Sequence, residues 1–201
     1  MSKIRTFLTI AAAAFTFNSV SAITIGDDVT LGGVERKAAL SPAVSGEGFT
    51  GSGNATDATL NGNAGFSALV APSTWTERGE ETVSGPSGIF DVTLTSGSWG
   101  SGNAGGTWMI TDASFWTKYA YGAISMHVGD GEGDPDHFVW RIQTGNLSGE
   151  WIYEKISGEG GGLSNLKLYS AGTGTRVPDA GSTLALLGLG LGLLGFLKRR
   201  K

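Results

Sequence analysis

Two histidines and a run of carboxylates stand closest to chemistry in this sequence. The stretch HVGDGEGDPDHF, His127 to Phe138, places Asp130, Glu132, Asp134 and Asp136 at every second residue. Oxygen-rich loops of this kind can hold calcium, a hard cation that takes oxygen ligands. The EF-hand pattern fails, because the twelfth position counted from Asp130 is Arg141, where a bidentate Glu is required. His127 and His137 are the only histidines, and they bracket the run. Facing each other across a hairpin, with one carboxylate, they would form a donor set for a transition metal. The plainer reading is a solvated hairpin loop turned by glycines and Pro135, and the sequence favours it.

The six tryptophans are the second chemical feature. Exposed indole rings stack on sugars, and Trp75, Trp99 and Trp116 are the candidates for that role. Trp108, Trp140 and Trp151 lie inside strand patterns and are expected to fill the core instead. Other chemistries find little support. No Ser sits in a G-x-S-x-G elbow. GSGNAGG at 100–106 resembles a phosphate loop, but no Lys completes it and no helical pattern follows. With no cysteine, thiol catalysis, Cys-based metal sites and disulfides are all excluded. Carboxylates are scattered, and nothing selects a pair for glycoside hydrolysis.

The elements that must position these residues read as strands. Short β-branched and aromatic runs cover 65–71, 89–95, 107–111, 121–128, 138–143, 151–156 and 166–169. In FVWRIQ, Phe138, Trp140 and Ile142 share one face, and Val139 and Arg141 the other. In EWIYEKI, Trp151 and Tyr153 oppose Ile152, Glu154 and Ile156. Between the runs lie clusters of the chain's 34 glycines, and no stretch of the body keeps a helical period. The expectation is an all-β fold, an antiparallel β-sandwich of jelly-roll-like kind. The polar, Gly-rich residues 23–63 are expected to be the least regular part. GSGNA occurs at 51–55 and again at 100–104, which reads as shared turn chemistry rather than a repeat.

Both ends carry targeting signals. Lys3 and Arg5 precede the apolar run TFLTIAAAAFTF, and NSVSA follows. This is a secretory signal peptide over 1–22, with cleavage expected after Ala22. Between Ile23 and Arg176 there are 17 Asp and Glu against 8 Lys and Arg, a net charge of −9. That balance disfavours nucleic acid, whose phosphates need clustered Lys and Arg. At the other end, residues 183–197 are uncharged and rich in Leu and Gly, and Lys198, Arg199, Arg200 and Lys201 close the chain. The apolar run is short for a transmembrane helix, which usually needs about 20 residues. The basic cluster would hold the terminus in the cytoplasm, so the body would lie outside the inner membrane.

The tail has a further feature. Directly before the apolar run stand Val177, Pro178, Asp179, Ala180 and Gly181. Pro178 favours an extended backbone and removes a donor. Motif, short span and basic cluster, in that order, resemble the PEP-CTERM class of bacterial sorting signals. The variant whose core reads VPDSG is most similar, with Ala180 in place of Ser. The resemblance implies an exosortase, an integral-membrane transpeptidase-like cysteine protease, that cleaves near the motif. It also implies a bacterium that makes extracellular polysaccharide. SGEW at 148–151 followed by GGLSNLKLY at 161–169 is similar to the closing portion of many small exported PEP-CTERM proteins, with Asn165 where His is common.

The expected organisation is therefore a signal peptide at 1–22, a Gly-rich β-sandwich at 23–172, a linker at 173–176 and a sorting signal at 177–201. The expected partners are signal peptidase, an exosortase-like protease and extracellular polysaccharide, and the expected setting is the cell envelope or the extracellular space. The expected role is structural or adhesive, not enzymatic, with no cofactor unless Ca2+ occupies the acidic run. A carbohydrate-binding module and a secreted hydrolase are the alternatives.

Overall fold

The computed structural model describes residues 29–51, 53–63, 74–129 and 135–174. The expected signal peptide with Ala22, the strand at 65–71, the motif Val177–Gly181 and the span at 183–197 lie outside the described residues. No helix among the described residues is long and apolar enough to cross a membrane.

Eleven strands and two short helices are described: β1 (Val29–Gly32), β2 (Arg36–Ser41), β3 (Ala43–Phe49), α1 (Asp57–Gly62), β4 (Thr76–Thr82), β5 (Gly85–Gly88), β6 (Phe90–Gly97), β7 (Asn103–Ile110), α2 (Phe115–Lys118), β8 (Tyr121–Val128), β9 (His137–Ile142), β10 (Ser148–Lys155) and β11 (Leu163–Ala171). The first sheet runs β1-β2-β10-β7-β6 and the second β3-β9-β8-β11-β4-β5. Every pairing is antiparallel. The all-β expectation holds.

Residues 29–49 depart from expectation. They hold three strands rather than irregular chain. Periodicity missed them because their inward positions are small or half-buried, such as Ala38, Gly46 and Val29. β2 lies between β1 and β10, and Ala38, Ala39 and Leu40 are all buried, so no alternation shows.

The main core lies between the sheets. Ala38, Leu40, Val92, Trp108, Trp151 and Tyr153 come from the first sheet; Ile124, Met126, Phe138, Trp140, Leu166 and Leu168 come from the second. The face assignments within β9 and β10 hold, with Trp140 and Trp151 inward and Ile156 outward. Each buried indole spends its area on packing, and where a carbonyl is near it keeps a hydrogen bond. Trp108 Nε1 donates to Ser41 O at 3.0 Å and Trp140 Nε1 to Val29 O at 2.8 Å. Close backbone approach explains part of the glycine content. A Cβ at Gly106 would collide with the Thr93 carbonyl, where β6 and β7 meet beside a register shift.

A second, smaller core sits on the outer face of the second sheet. Ala55, Leu60 and Trp75 pack there against Ala123, Val139, Tyr169 and Ala171. After β3 the chain folds back across this face through α1, whose first turn is capped by the Thr56 hydroxyl accepting from Thr59 N at 3.2 Å.

Candidate functional site

The antiparallel register sets His127 directly opposite His137. Their ring centroids are 4.7 Å apart, so the two rings face each other, although the sequence favoured a plain solvated loop here. Neither ring meets solvent freely; His127 is 6% exposed and His137 1%. His137 Nδ1 lies 2.8 Å from Asp136 Oδ1, and Nε2 lies 2.7 Å from Gly53 O. Phe49 stacks on the same ring at 4.9 Å. The Asp136 carboxylate also accepts from Gly51 N at 3.0 Å. A carboxylate-oriented imidazole is half of a nucleophilic relay. Here the distal nitrogen ends on a backbone carbonyl instead of a hydroxyl. His137 therefore fastens Gly53 to the sheet. No group of three or more metal-ligating side chains occurs among the described residues. Of the acidic run, Asp136 is placed as above, and Asp130, Glu132 and Asp134 lie outside the described residues.

This fastening continues along the covering segment. Asn165 Nδ2 donates to Asn54 Oδ1 at 2.9 Å, Tyr169 OH to Ala55 O at 2.9 Å, and Glu77 N to Asp57 Oδ1 at 2.8 Å. Burial, above all, holds the Tyr169 phenol well above its ordinary pKa. Beneath the cover, alternation along the strands lays polar side chains in rows. One row runs Lys167, Ser125, Val139, Glu47 across β11, β8, β9 and β3. Lys167 is nearly buried and reaches Glu77 at 3.0 Å and Glu80 at 3.6 Å. Ser45 Oγ, Glu47 Oε2 and Asn165 Oδ1 are buried with no hydrogen-bond partner among the described residues. Buried polar groups are ordinarily satisfied by protein or by water. This face thus offers a hydroxyl and a carboxylate oxygen on half-buried β3 to a polar ligand, and the buried Asn165 amide oxygen to ordered water.

One of the three tryptophans assigned to sugar stacking is placed differently from expectation. Trp75 is 1% exposed, with its backbone N donating to Asn61 Oδ1 at 2.7 Å, so its ring offers no platform to a sugar. It is covered because it packs with Ala55 and Leu60 against Ala123, Val139 and Tyr169, contacts no local pattern announces. Trp99 and Trp116 are half-buried against the main core, and Trp116 Nε1 donates to Asn146 O at 2.7 Å. The outer face of the first sheet is open by contrast. A shallow groove of about 340 Å³ lies there, lined by Asp91, Thr93, Thr107, Met109, Ser148 and Glu150 among others.

Sequence reasoning missed Glu47, Asn165 and Lys167. The signal was present in LSNLKLYSA, where Asn165, Lys167 and Tyr169 alternate with Leu166 and Leu168. Read locally, that alternation means a solvent face; only the covering segment makes it buried.

The described fold ends at Gly174, whose N donates to Lys118 O at 3.0 Å. Beyond it, residues 176–201 match the family model of the VPDSG-CTERM motif. The chain carries a PEP-CTERM-like sorting signal. Such a signal implies processing by an exosortase-like membrane enzyme and membrane-anchored secretion to the cell envelope. No curated protein and no solved structure matches this chain.

Proposed function

We propose that this protein is an exported building block of the cell envelope or extracellular matrix, with a structural or adhesive role. In this reading signal peptidase removes residues 1–22 and an exosortase-like protease removes the tail near Val177–Gly181. What remains is a jelly-roll-like sandwich at the cell surface or in the surrounding matrix. The observation that carries the reading is the match of 176–201 to the sorting motif. The acidic, cysteine-free body suits a domain held together by its cores and not by disulfides. This reading assigns the domain no catalytic role, and the Asp136–His137 pair, whose distal nitrogen meets the Gly53 carbonyl, is consistent with it.

The test is to replace Val177–Gly181 with alanines and follow the protein by cell fractionation. The account expects the variant to stay in the membrane fraction while the unaltered chain leaves it. Identical distribution of the two would contradict it.

One observation favours a second reading, a carbohydrate-binding module. Its support is the outer face of β3, where Ser45 and Glu47 are half-buried and their Oγ and Oε2 have no hydrogen-bond partner among the described residues. Co-sedimentation with the host's own extracellular polysaccharide, lost in Glu47→Gln and Ser45→Ala, would support it. Undiminished binding by both variants would remove it.

A further inference from the structure

The strand register shows how the groove on the outer face of the first sheet is built. Asp91 of β6 stands opposite Met109 of β7, and Met109 opposite Ser148 of β10. Two residues along, Thr93, Thr107 and Glu150 make the next row. All six share the outer face, because alternation along the strands sends Val92, Trp108 and Trp151 into the main core. The row after that is filled. A Cβ on Gly105 would stand 3.1 Å from Ser96 Oγ and 3.6 Å from Ile152 Cγ1, so these two side chains close one end of the groove.

The chemistry of the lining is one-sided. The hydroxyls of Thr93, Thr107 and Ser148 are exposed. Met109, 46% exposed, lays an apolar surface among them. Asp91 and Glu150 occupy opposite corners, with Cα atoms roughly 12 Å apart at ordinary strand spacing. No Lys, Arg or His lines the groove. Neither carboxylate joins an ion pair among the described residues.

We propose that this groove binds a short stretch of amine-bearing polysaccharide, with Asp91 and Glu150 receiving its ammonium groups and the Thr and Ser side chains its hydroxyls. The proposal rests on the carbohydrate-binding reading and gives it a site apart from β3 and a ligand class. Size is the first argument. About 340 Å³ lies at the lower end of small-molecule sites, about 300–1,000 Å³, which leaves room for a short oligosaccharide. Position is the second. The groove lies over β7 and β10, which are paired on both sides. A peptide there cannot add as a strand, since that mode needs a free edge. Side chains alone make the contacts, and a sugar ring brings hydroxyls at its rim and an apolar face for Met109. Charge is the third. An acidic saccharide would meet two unpaired carboxylates on a body that is already acidic, whereas an ammonium group is attracted by both.

Titration calorimetry tests this on the full chain in a polyoxyethylene detergent, which contains no sugar. The probes are the trimers of glucosamine, N-acetylglucosamine and galacturonic acid, at about pH 6, above the ordinary carboxylate range. The glucosamine trimer is expected to bind most tightly and the galacturonic acid trimer not at all. Asp91 and Glu150 belong to neither core. Asp91→Asn and Glu150→Gln should each weaken binding of the glucosamine trimer about three- to fivefold. Glu154→Gln, exposed on the same face beyond Ile152, should leave it unchanged. Full binding in both groove variants, equal weakening by Glu154→Gln, or no preference for the glucosamine trimer overturns the groove site and leaves the carbohydrate reading to its own test on β3. Failure of every trimer to bind also overturns the groove; polysaccharide co-sedimentation that persists then keeps the wider reading, and its absence removes that as well.

Discussion

The two cores of this protein are built by different means. The core between the sheets is apolar and deep, with Trp108, Trp140 and Trp151 among its largest members. The core on the outer face of the second sheet contains few apolar residues, and the covering segment is held there by hydrogen bonds from His137, Asn165 and Tyr169. Apolar burial scales with area and dominates stability. A typical intramolecular hydrogen bond contributes only about 1 kcal/mol net. The first core therefore decides whether the chain folds, and the second decides whether one face of it stays closed.

The comparison is broken most easily at its strong side. Trp140→Ala removes a fully buried ring and should cost about 3–5 kcal/mol, lowering the midpoint of denaturant unfolding for the whole domain. Unfolding of the cover alone, with the sheets intact, would show that the cores had been ranked wrongly. Leu60→Ala comes next, at about 2 kcal/mol or more. Its effect should concentrate in the cover, raising hydrogen exchange at the α1 amides Leu60 and Asn63 before those of β8 and β9. Tyr169→Phe should cost about 1 kcal/mol and act in the same place, because it leaves the Ala55 carbonyl without its donor. In the unaltered protein the α1 amides should already exchange faster than those of β8, β9 and β11. Equal protection would erase the distinction.

The sequence revealed the first core far better than the second. Period-2 alternation in FVWRIQ and EWIYEKI assigned inward faces that the fold keeps, because the large aromatic residues of each strand share the face toward the main core. It misread Trp75, since burial of that ring depends on α1 folding back from a strand far along the chain. It also left Lys167 unremarked, because a polar residue between two leucines looks the same whether its face is bare or covered. The tail was read most fully of all, for a sorting signal is recognised as linear sequence and needs no fold to be seen.

Two smaller effects follow from titration. Glu81 is 4% exposed on β4, and its carboxylate accepts from Val92 N at 3.3 Å. Burial, opposed by that hydrogen bond, lifts its pKa above the ordinary carboxylate value. A raised folded pKa means that stability is fully present below the unfolded value and falls as pH rises through the folded one. Glu81→Gln, which keeps an acceptor for Val92, should therefore raise Tm at neutral pH, with the gain vanishing below about pH 4. Asp112 titrates the other way. Lys118 first, then Ser114, holds its carboxyl down to about 2. Its contribution is present above the ordinary carboxylate range and is lost as pH falls toward 2. Asp112→Asn should flatten that part of the acid unfolding profile and leave the core unchanged, the smallest effect of the set.

The central claim is that the tail is an address removed after delivery, and the sandwich is what it delivers. The intact mass of the protein recovered from outside the inner membrane tests this most directly. The account predicts a species that begins at Ile23 and ends between Pro178 and Gly181. A recovered species that still carries Lys201 would contradict it.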